Sequence, residues 1–435
     1  MQPGTLPRRS TSRPLYMEYM LLVAAIFFSF FYRVSASVIL PQLGQEWGLS
    51  PSSVGFVSSL YFYAYALSQP IGGLLNDTFG PMLVAAVGLG VAALGALSLG
   101  MAQSVIGLAA GRMLTGIGLT SILSGTVAFQ AAAFPPDRYA FFSGVTYFVG
   151  NLGAVVSVAP LGSALERWGR SSVFAGLVVL TLALGAALMA RRGRDPVVAR
   201  RRTDASRGAE RVPMNAASVF RQLASAIRLV ATTPQLAAIV VLWMVSYGAL
   251  MTVQGLWGVQ WCQATYHTSA TSARLWATMV SVGVMAGNVT GSLVAAPASR
   301  RRQAIVTSSL TCAAAWAMLW TGMLLRLPIW LTGLGCFLVG ASSGTCFVHL
   351  TAGVNNLAPA GKGGAVFGAI NMMPSLGVIV GQWGTGIVLD AGVGADGAYT
   401  HASFALAFGA VLAVVLASQL ALARIKGFDA PSHGR

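Results

Sequence analysis

The sequence predicts an all-α polytopic membrane protein with twelve transmembrane helices arranged as two pseudo-symmetric six-helix bundles. Hydrophobic residues make up 55% of the 435 residues and charged residues only 9%, whereas soluble proteins contain about 25% charged residues. The hydrophobic residues also form long continuous stretches rather than the alternating pattern of a membrane β-barrel, and helices satisfy their own backbone in lipid. Soluble globular, disordered and coiled-coil proteins are therefore excluded.

Each of the twelve apolar stretches is long enough to cross about 30 Å of hydrocarbon as a helix. They cover residues 17–40, 53–75, 81–101, 105–131, 139–163 and 171–190, then 233–258, 273–296, 303–325, 329–352, 363–389 and 401–423. We therefore predict a tail at 1–16, a first bundle at 17–190, a linker at 191–232, a second bundle at 233–423 and a tail at 424–435.

The basic residues predict the orientation of the chain. Of the 27 Lys and Arg residues, 21 fall on the side of the termini and the linker, four fall on the other side and two lie within helices. Basic residues concentrate in cytoplasmic loops, so we expect both termini and the linker in the cytoplasm. We also expect the protein to be a monomer and to lie in the inner membrane. Since these residues form short runs between apolar stretches, the net charge of +16 does not indicate a nucleic-acid partner.

The His and Cys residues do not have the spacing of a metal site or an active site. The four cysteines form no CxxC pair and the four histidines form no HxxxH pair, which zinc sites and membrane-embedded metalloenzymes require. We therefore expect no metal, no cofactor and no enzymatic activity.

The one long polar stretch is the linker. It begins RRGRDPVVARRRTDASRGAER and continues as NAASVFRQLASAIRLV, which is basic on one side and apolar on the other. We interpret it as a solvated segment that sets the orientation, with its second part along the membrane surface. A regulatory partner site is the alternative.

The two halves of the chain repeat each other at an offset of 224 residues. The matches run through the fourth and fifth apolar stretches and through the tenth and eleventh. They pair Gly111 with Gly335, Gly116 with Gly340, Pro135 with Pro359, Arg138 with Lys362, Gly144 with Gly368, Gly153 with Gly377, Gly162 with Gly386 and Glu166 with Asp390. Two six-helix halves in parallel repeat are typical of transporters whose substrate site lies between the halves.

Two motifs resemble those of the major facilitator superfamily. Between the second and third stretches, GGLLNDTFGPM places Gly73 and Asp77 at the spacing of the family's loop signature. The fourth stretch carries L-x3-R-x2-T-G-x-G around Arg112. The resemblance implies that Gly73 packs closely against a helix and that Asp77 caps a neighbouring helix and pairs with basic groups. Thr78 replaces a basic residue that is usual in the loop, which implies a weakened charge latch.

The residue that most strongly indicates a substrate site is Arg33, inside the first apolar stretch. A charge within the bilayer is costly and is a functional hypothesis by default. Arg33 shares a helix face with Ser29 and Ser37. If it faces the central cavity it would bind an anionic group, as the first-helix Arg does in the organic-anion members that it resembles. The alternative is an Arg that extends to the membrane surface or bonds to carbonyl groups.

Polar side chains at helical spacing complete the predicted substrate site, which consists of Arg33, Tyr61, Tyr65, Tyr147, Asn151, Tyr247, Gln254, Trp257 and Asn371. Such groups either line a hydrated cavity or bond one helix to another. Gly283, Gly287 and Gly291 form a ridge that we interpret as helix packing.

Arg112, Asp77, Gly73 and His349 are the predicted coupling or gating residues. The resemblance gives Arg112 a part in proton coupling, while a purely structural bond across helices is the alternative. His349 is an intramembrane His that could titrate near neutral pH. Substrate exchange or uniport would need no proton site, so the coupling ion stays open.

We therefore expect a secondary active or facilitative transporter, a symporter among the alternatives, that moves a small polar metabolite by alternating access. The metabolite is anionic if Arg33 faces the cavity. The rival functions are a multidrug/proton antiporter and a non-transporting sensor or assembly factor on the same fold.

Overall fold

The computed structural model describes residues 15–206, 216–293, 298–357, 363–392 and 399–426. Within these ranges the chain is 91% helical and contains no strand. The predictions about the N-terminal tail, the middle of the linker and the last nine residues fall outside the described residues, as do the repeat positions Pro359 and Lys362.

The first six-helix bundle contains nine helical segments, because three of its six spans are broken near the middle. The segments are α1 Tyr16–Val34, α2 Ala36–Glu46, α3 Pro51–Phe79, α4 Pro81–Met101, α5 Val105–Leu119, α6 Ile122–Ala133, α7 Pro136–Val156, α8 Ala159–Trp168 and α9 Arg170–Arg191. The described parts of the linker form α10 Pro196–Ser206 and α11 Ala216–Thr232.

The second bundle also consists of six spans, of which one is broken. Its helices are α12 Pro234–Thr252, α13 Gly258–Tyr266, α14 Ala270–Leu293, α15 Arg301–Leu324, α16 Ile329–Leu357, α17 Gly363–Asp390 and α18 His401–Ser418. A π-helical segment, Val253–Trp257, joins α12 to α13. Within the described residues, the twelve predicted apolar stretches thus correspond to twelve helical spans, and the prediction of an all-α polytopic fold in two bundles is confirmed.

Two of the twelve spans are less apolar than the others. By length and composition, nine helices in the described ranges could cross a membrane, and a tenth joins them if α7 and α8, bent by 41°, form one span. The two remaining spans, α3 and α14, both contact the other bundle. Since helices at this interface face protein instead of lipid, they tolerate more polar residues.

Glycine brings the helices of the core into backbone contact. A Cβ at Gly287 of α14 would lie 2.0 Å from the carbonyl oxygen of Ala341 in α16, and a Cβ at Gly55 of α3 would lie 2.4 Å from that of Gln382 in α17. No larger side chain fits at either position. The Gly283–Gly291 ridge therefore packs against α16, and α3 packs against α17 across the two bundles.

Two acidic residues connect the bundles on the side of the protein opposite the linker. We call this side the distal face. Glu166, at the end of α8, forms a 2.5 Å ion pair with Arg274 of α14. Asp390, at the end of α17, accepts a 3.1 Å hydrogen bond from the backbone amide of Ser52 at the start of α3. Glu166 and Asp390 are repeat-equivalent, so both halves use the same position to hold the other half closed at this face.

The glycine ridge gives a first testable prediction. In Gly287→Ala the new methyl group would overlap the Ala341 carbonyl, and we expect a loss of stability on the order of 1–3 kcal/mol. The measurement is the apparent Tm of the purified protein in detergent. Gly90→Ala is the matched control, because a Cβ there meets nothing within 4 Å and alanine favours helix. Equal Tm values for the two variants would contradict the close contact.

The distal face gives a second prediction. Glu166→Gln removes an ion pair whose acid is 51% exposed. We therefore expect the free energy that favours the closed distal face to fall by roughly 1 kcal/mol, which is about a fivefold shift toward states open at this face. Spin labels on Trp168→Cys and Leu325→Cys, both exposed, would report longer distances by electron–electron double resonance. The four native cysteines are buried and should not compete for the label.

Glu46→Gln is the control for the distal-face experiment. Glu46 accepts a 3.0 Å hydrogen bond from Gln42 on its own helix, so its loss should leave the distance between the bundles unchanged. If Glu166→Gln and the parent protein gave superimposable distance distributions, the Glu166–Arg274 pair would not hold the bundles together.

Candidate functional site

A cavity of about 950 Å³, including its open part, lies between the two bundles. Both bundles contribute to its wall. The lining residues are Phe30, Arg33, Tyr61, Phe62, Tyr65, Leu123, Tyr147 and Asn151 from the first bundle, and Trp243, Ser246, Tyr247, Leu250, Met251, Gln254, Val284, Asn288, Ser343, Gly344, Phe347, Leu350, Asn371, Pro374 and Ser375 from the second. Eight of the nine predicted substrate-site residues are in this set.

Arg33 carries the positive charge of the cavity wall. It lies two residues before the break between α1 and α2 at Ser35, and its guanidinium carbon is 3.9 Å from the ring centroid of Phe30. Its Nε atom is buried and has no hydrogen-bond partner. No acidic side chain of the described residues forms an ion pair with it. The charge is therefore held against an aromatic ring and is not neutralised by the protein.

Three tyrosines of the first bundle lie within electrostatic reach of Arg33: Tyr61, Tyr65 and Tyr147. The Tyr61 and Tyr65 rings are stacked with centroids 5.8 Å apart, and their spacing of four residues places them on one face of α3. The Tyr61 hydroxyl is buried and has no hydrogen-bond partner. The cavity thus places a cation close to phenol groups, of which Tyr61 has unused capacity for hydrogen bonding.

The aromatic wall continues across the interface into the second bundle. Phe347 of α16 makes edge-to-face contacts with Tyr147, at 5.9 Å between centroids, and with Trp243, at 5.5 Å. Tyr247 lies one turn after Trp243 on α12 and also lines the cavity. Rings from both bundles therefore enclose the space next to Arg33.

The predicted amide side chains lie in the cavity wall and differ in the hydrogen bonds that they already make. Asn151 donates to the carbonyl of Tyr147 at 2.8 Å, and Gln254 donates to the Ser281 hydroxyl at 2.8 Å. Gln254 is in the π-helical segment, a type of irregularity that is frequent at functional sites. Asn371 lies on α17 in the cavity wall.

Trp257 is the predicted substrate residue that the structure places elsewhere. Its side chain is fully buried and its indole nitrogen donates to the Thr385 hydroxyl at 2.9 Å. The ring packs against Tyr399 beyond the wall of the cavity. The extra residue of the π-helical segment shifts the helical register after Gln254, so spacing alone could not place Trp257.

Arg112 lies behind the cavity wall. It is 1% exposed and donates to the carbonyl of Ser58 through Nε and Nη2, at 3.3 and 2.9 Å, and to the carbonyl of Tyr32 through Nη1, at 3.1 Å. Its guanidinium carbon is 4.8 Å from the Tyr61 ring centroid. These bonds join α1, α3 and α5, which matches the structural alternative considered for this residue.

His349 also lies outside the cavity wall. It is 5% exposed on α16, and the nearby charge that acts on it is that of Arg301, at the start of α15. A part for His349 in coupling stays a prediction that no contact with the cavity supports.

The loop motif departs at Gly73 from what the family resemblance implies, while Asp77 has the expected basic neighbour. A Cβ at Gly73 would meet nothing within 4 Å, whereas a Cβ at the preceding Gly72 would lie 2.8 Å from the Ser121 Cβ. Gly72 is therefore the residue that permits close helix packing. Asp77 is exposed, and the charge that acts on its carboxylate comes from Arg201 of the linker helix α10.

The start of the linker is docked on this loop, which corrects the interpretation of a wholly solvated segment. Arg201 donates to the carbonyls of Asp77 and Thr78 at the end of α3, at 3.2 and 2.5 Å. Asp195 accepts a 2.9 Å hydrogen bond from the Met82 amide at the start of α4. An arginine at a helix C-terminus and an aspartate at a helix N-terminus both match the helix dipoles. The linker thus supplies a basic group in the region where the loop itself has Thr78.

Several cavity residues escaped the sequence analysis. Asn288, whose Oδ1 atom is buried and has no partner, follows a glycine of the α14 ridge. A polar residue beside a small-residue ridge could have indicated a cavity position. Trp243 and Phe347 sit in apolar runs that carry no sign of which face meets the cavity.

Comparison with known proteins identifies the family. The model of the Major Facilitator Superfamily matches residues 22–382. A probable sulfoacetate transporter, SauU, of Cupriavidus necator is 28% identical over 177 residues, which is 40% of this chain and 41% of that protein. A probable chloroplastic anion transporter 4 of Oryza sativa is 38% identical over 74 residues, which is 16% of this chain and 12% of that protein. The matched part therefore spans less than half of these relatives.

Solved structures of low sequence identity share the fold over nearly the whole chain. A D-xylose–proton symporter superimposes with a TM-score of 0.69 at 14% identity, covering 95% of this chain and 99% of that one. The nucleoside transporter NupG gives 0.70 at 14% identity, covering 94% and 100%. Together with the family match over most of the sequence, this shows that the chain belongs to the Major Facilitator Superfamily.

Proposed function

We propose that this protein is an inner-membrane secondary transporter that moves small organic anions by alternating access, with Arg33 as the anion-binding residue. The observation that carries the proposal is the unneutralised guanidinium of Arg33 in a cavity between the bundles. Arg33 is partly buried, and a cation in such a position destabilises the protein unless a ligand, water or another polar group compensates it. An anion that enters the cavity supplies this compensation through charge-assisted hydrogen bonds.

The surroundings of Arg33 support an organic anion over an inorganic one. Tyr61 offers a free hydroxyl that can donate to an anion, while most of the remaining wall is apolar or aromatic. Pockets of this composition bind ligands with an apolar body and a few polar groups. The similarity to proteins described as sulfoacetate and anion transporters points to the same class of substrate.

Arg33→Gln tests the proposal. Charge-assisted hydrogen bonds contribute roughly 2 kcal/mol, so we expect about a thirtyfold weaker Kd for an anion that stabilises the parent protein. Sulfoacetate, acetate and benzoate are the probes, measured as a shift in Tm of the purified protein and as uptake into proteoliposomes. Arg33→Lys keeps the charge and should lose less than Arg33→Gln.

Arg167→Gln is the matched control because it removes one exposed positive charge outside the cavity. Anion binding and uptake should match those of the parent protein. If Arg33→Gln retained parent-like binding and uptake of every anion that the parent recognises, Arg33 would not be the anion-binding residue.

A further inference from the structure

The number of charges in the cavity wall limits the charge of the ligand. Among the described residues that line the cavity, Arg33 is the one charged side chain. The other arginine nearby, Arg112, is separated from the cavity by the Tyr61 ring and already donates to two backbone carbonyls. A ligand with two negative charges would find a single cationic side chain in the wall, so its second charge would have no opposite charge to pair with. The wall is therefore matched to a single negative charge.

The shape of the wall limits the body of the ligand. Eight aromatic side chains line the cavity from both bundles: Phe30, Tyr61, Phe62, Tyr65, Tyr147, Trp243, Tyr247 and Phe347. The contacts among them are edge-to-face or stacked at 5.1 to 5.9 Å between centroids. Aromatic rings prefer these two arrangements with a further ring as well. A short aliphatic anion would reach Arg33 but would leave most of this aromatic surface without contact.

From these two features we infer that the substrate is a monovalent organic anion with an aromatic body, such as a benzenoid carboxylate. Its carboxylate meets the Arg33 guanidinium and the Tyr61 hydroxyl, and its ring packs among the aromatic side chains of α3, α7, α12 and α16. This inference rests on the proposed function, since it specifies the substrate class of the same site.

The test compares five probes on the purified full-length protein by isothermal titration calorimetry. Benzoate is the expected ligand, acetate lacks the ring, cyclohexanecarboxylate replaces the ring by an aliphatic one, terephthalate adds a second charge and benzamide removes the charge. We expect benzoate to bind at least tenfold more tightly than acetate, terephthalate or benzamide, and about threefold more tightly than cyclohexanecarboxylate.

A matched pair of variants tests the aromatic wall. Tyr65→Leu removes a ring that lines the cavity, whereas Tyr63→Leu removes a ring on the same helix that does not. Tyr65→Leu should weaken benzoate binding three- to tenfold and acetate binding by a smaller factor, and Tyr63→Leu should change neither. Equal effects of the two variants on benzoate would overturn the part given to the aromatic wall.

The outcomes separate this inference from the proposed function. If sulfoacetate or terephthalate bound as tightly as benzoate, and Arg33→Gln abolished that binding, the monovalent class would be wrong while an organic-anion transporter would stand. If acetate equalled benzoate with the same dependence on Arg33, the aromatic body would be wrong. If neither benzoate, acetate nor sulfoacetate bound in a manner that Arg33→Gln weakens, the proposed function would fail as well.

Discussion

Backbone-to-backbone contact between helices is the constraint on which this structure depends. Helix association in lipid relies on close packing and polar contacts because the hydrocarbon around the helices is as apolar as their side chains. Gly287 and Gly55 allow such packing within a bundle and between the bundles, respectively. The helices touch at these glycines, whereas the cavity between the bundles is lined mostly by larger side chains, tyrosine and asparagine among them.

The two arginines inside the bundle show what an intramembrane charge can be used for. Arg112 is fully enclosed and directs its donors at the carbonyls of Ser58 and Tyr32, so its charge is solvated by the backbone of two neighbouring helices. Arg33 lies against Phe30 with a buried Nε that has no partner. An arginine at one position therefore stabilises the first bundle, while an arginine at the other position keeps a hydrogen-bond donor available in the cavity wall.

The sequence was sufficient for the fold, because continuous apolar stretches follow from the needs of a lipid-embedded backbone and the 224-residue repeat indicates two related halves. It also identified most of the cavity wall, since residues such as Tyr61 and Tyr65, or Tyr147 and Asn151, recur at the spacing of one helix face. It failed at Trp257, where a π-helical segment shifts the register. It also failed at Trp243 and Phe347, because the sequence pattern around a large aromatic residue does not distinguish a side chain that faces lipid from one that faces the protein core or a cavity.

Equivalent positions of the two halves make different kinds of contact at the ends of the helices. Glu166 and Asp390 occupy equivalent places in the repeat, yet one forms an ion pair with Arg274 and the other accepts a hydrogen bond from the Ser52 amide. At the linker end, Asp195 and Arg201 attach α10 to the turn between α3 and α4, a contact within the first half of the chain. Duplication therefore accounts for the shared architecture, while the individual side chains determine how firmly each face is held. This difference matters for the alternating access proposed above, because contacts that held both faces at the same time would leave the cavity closed at both ends.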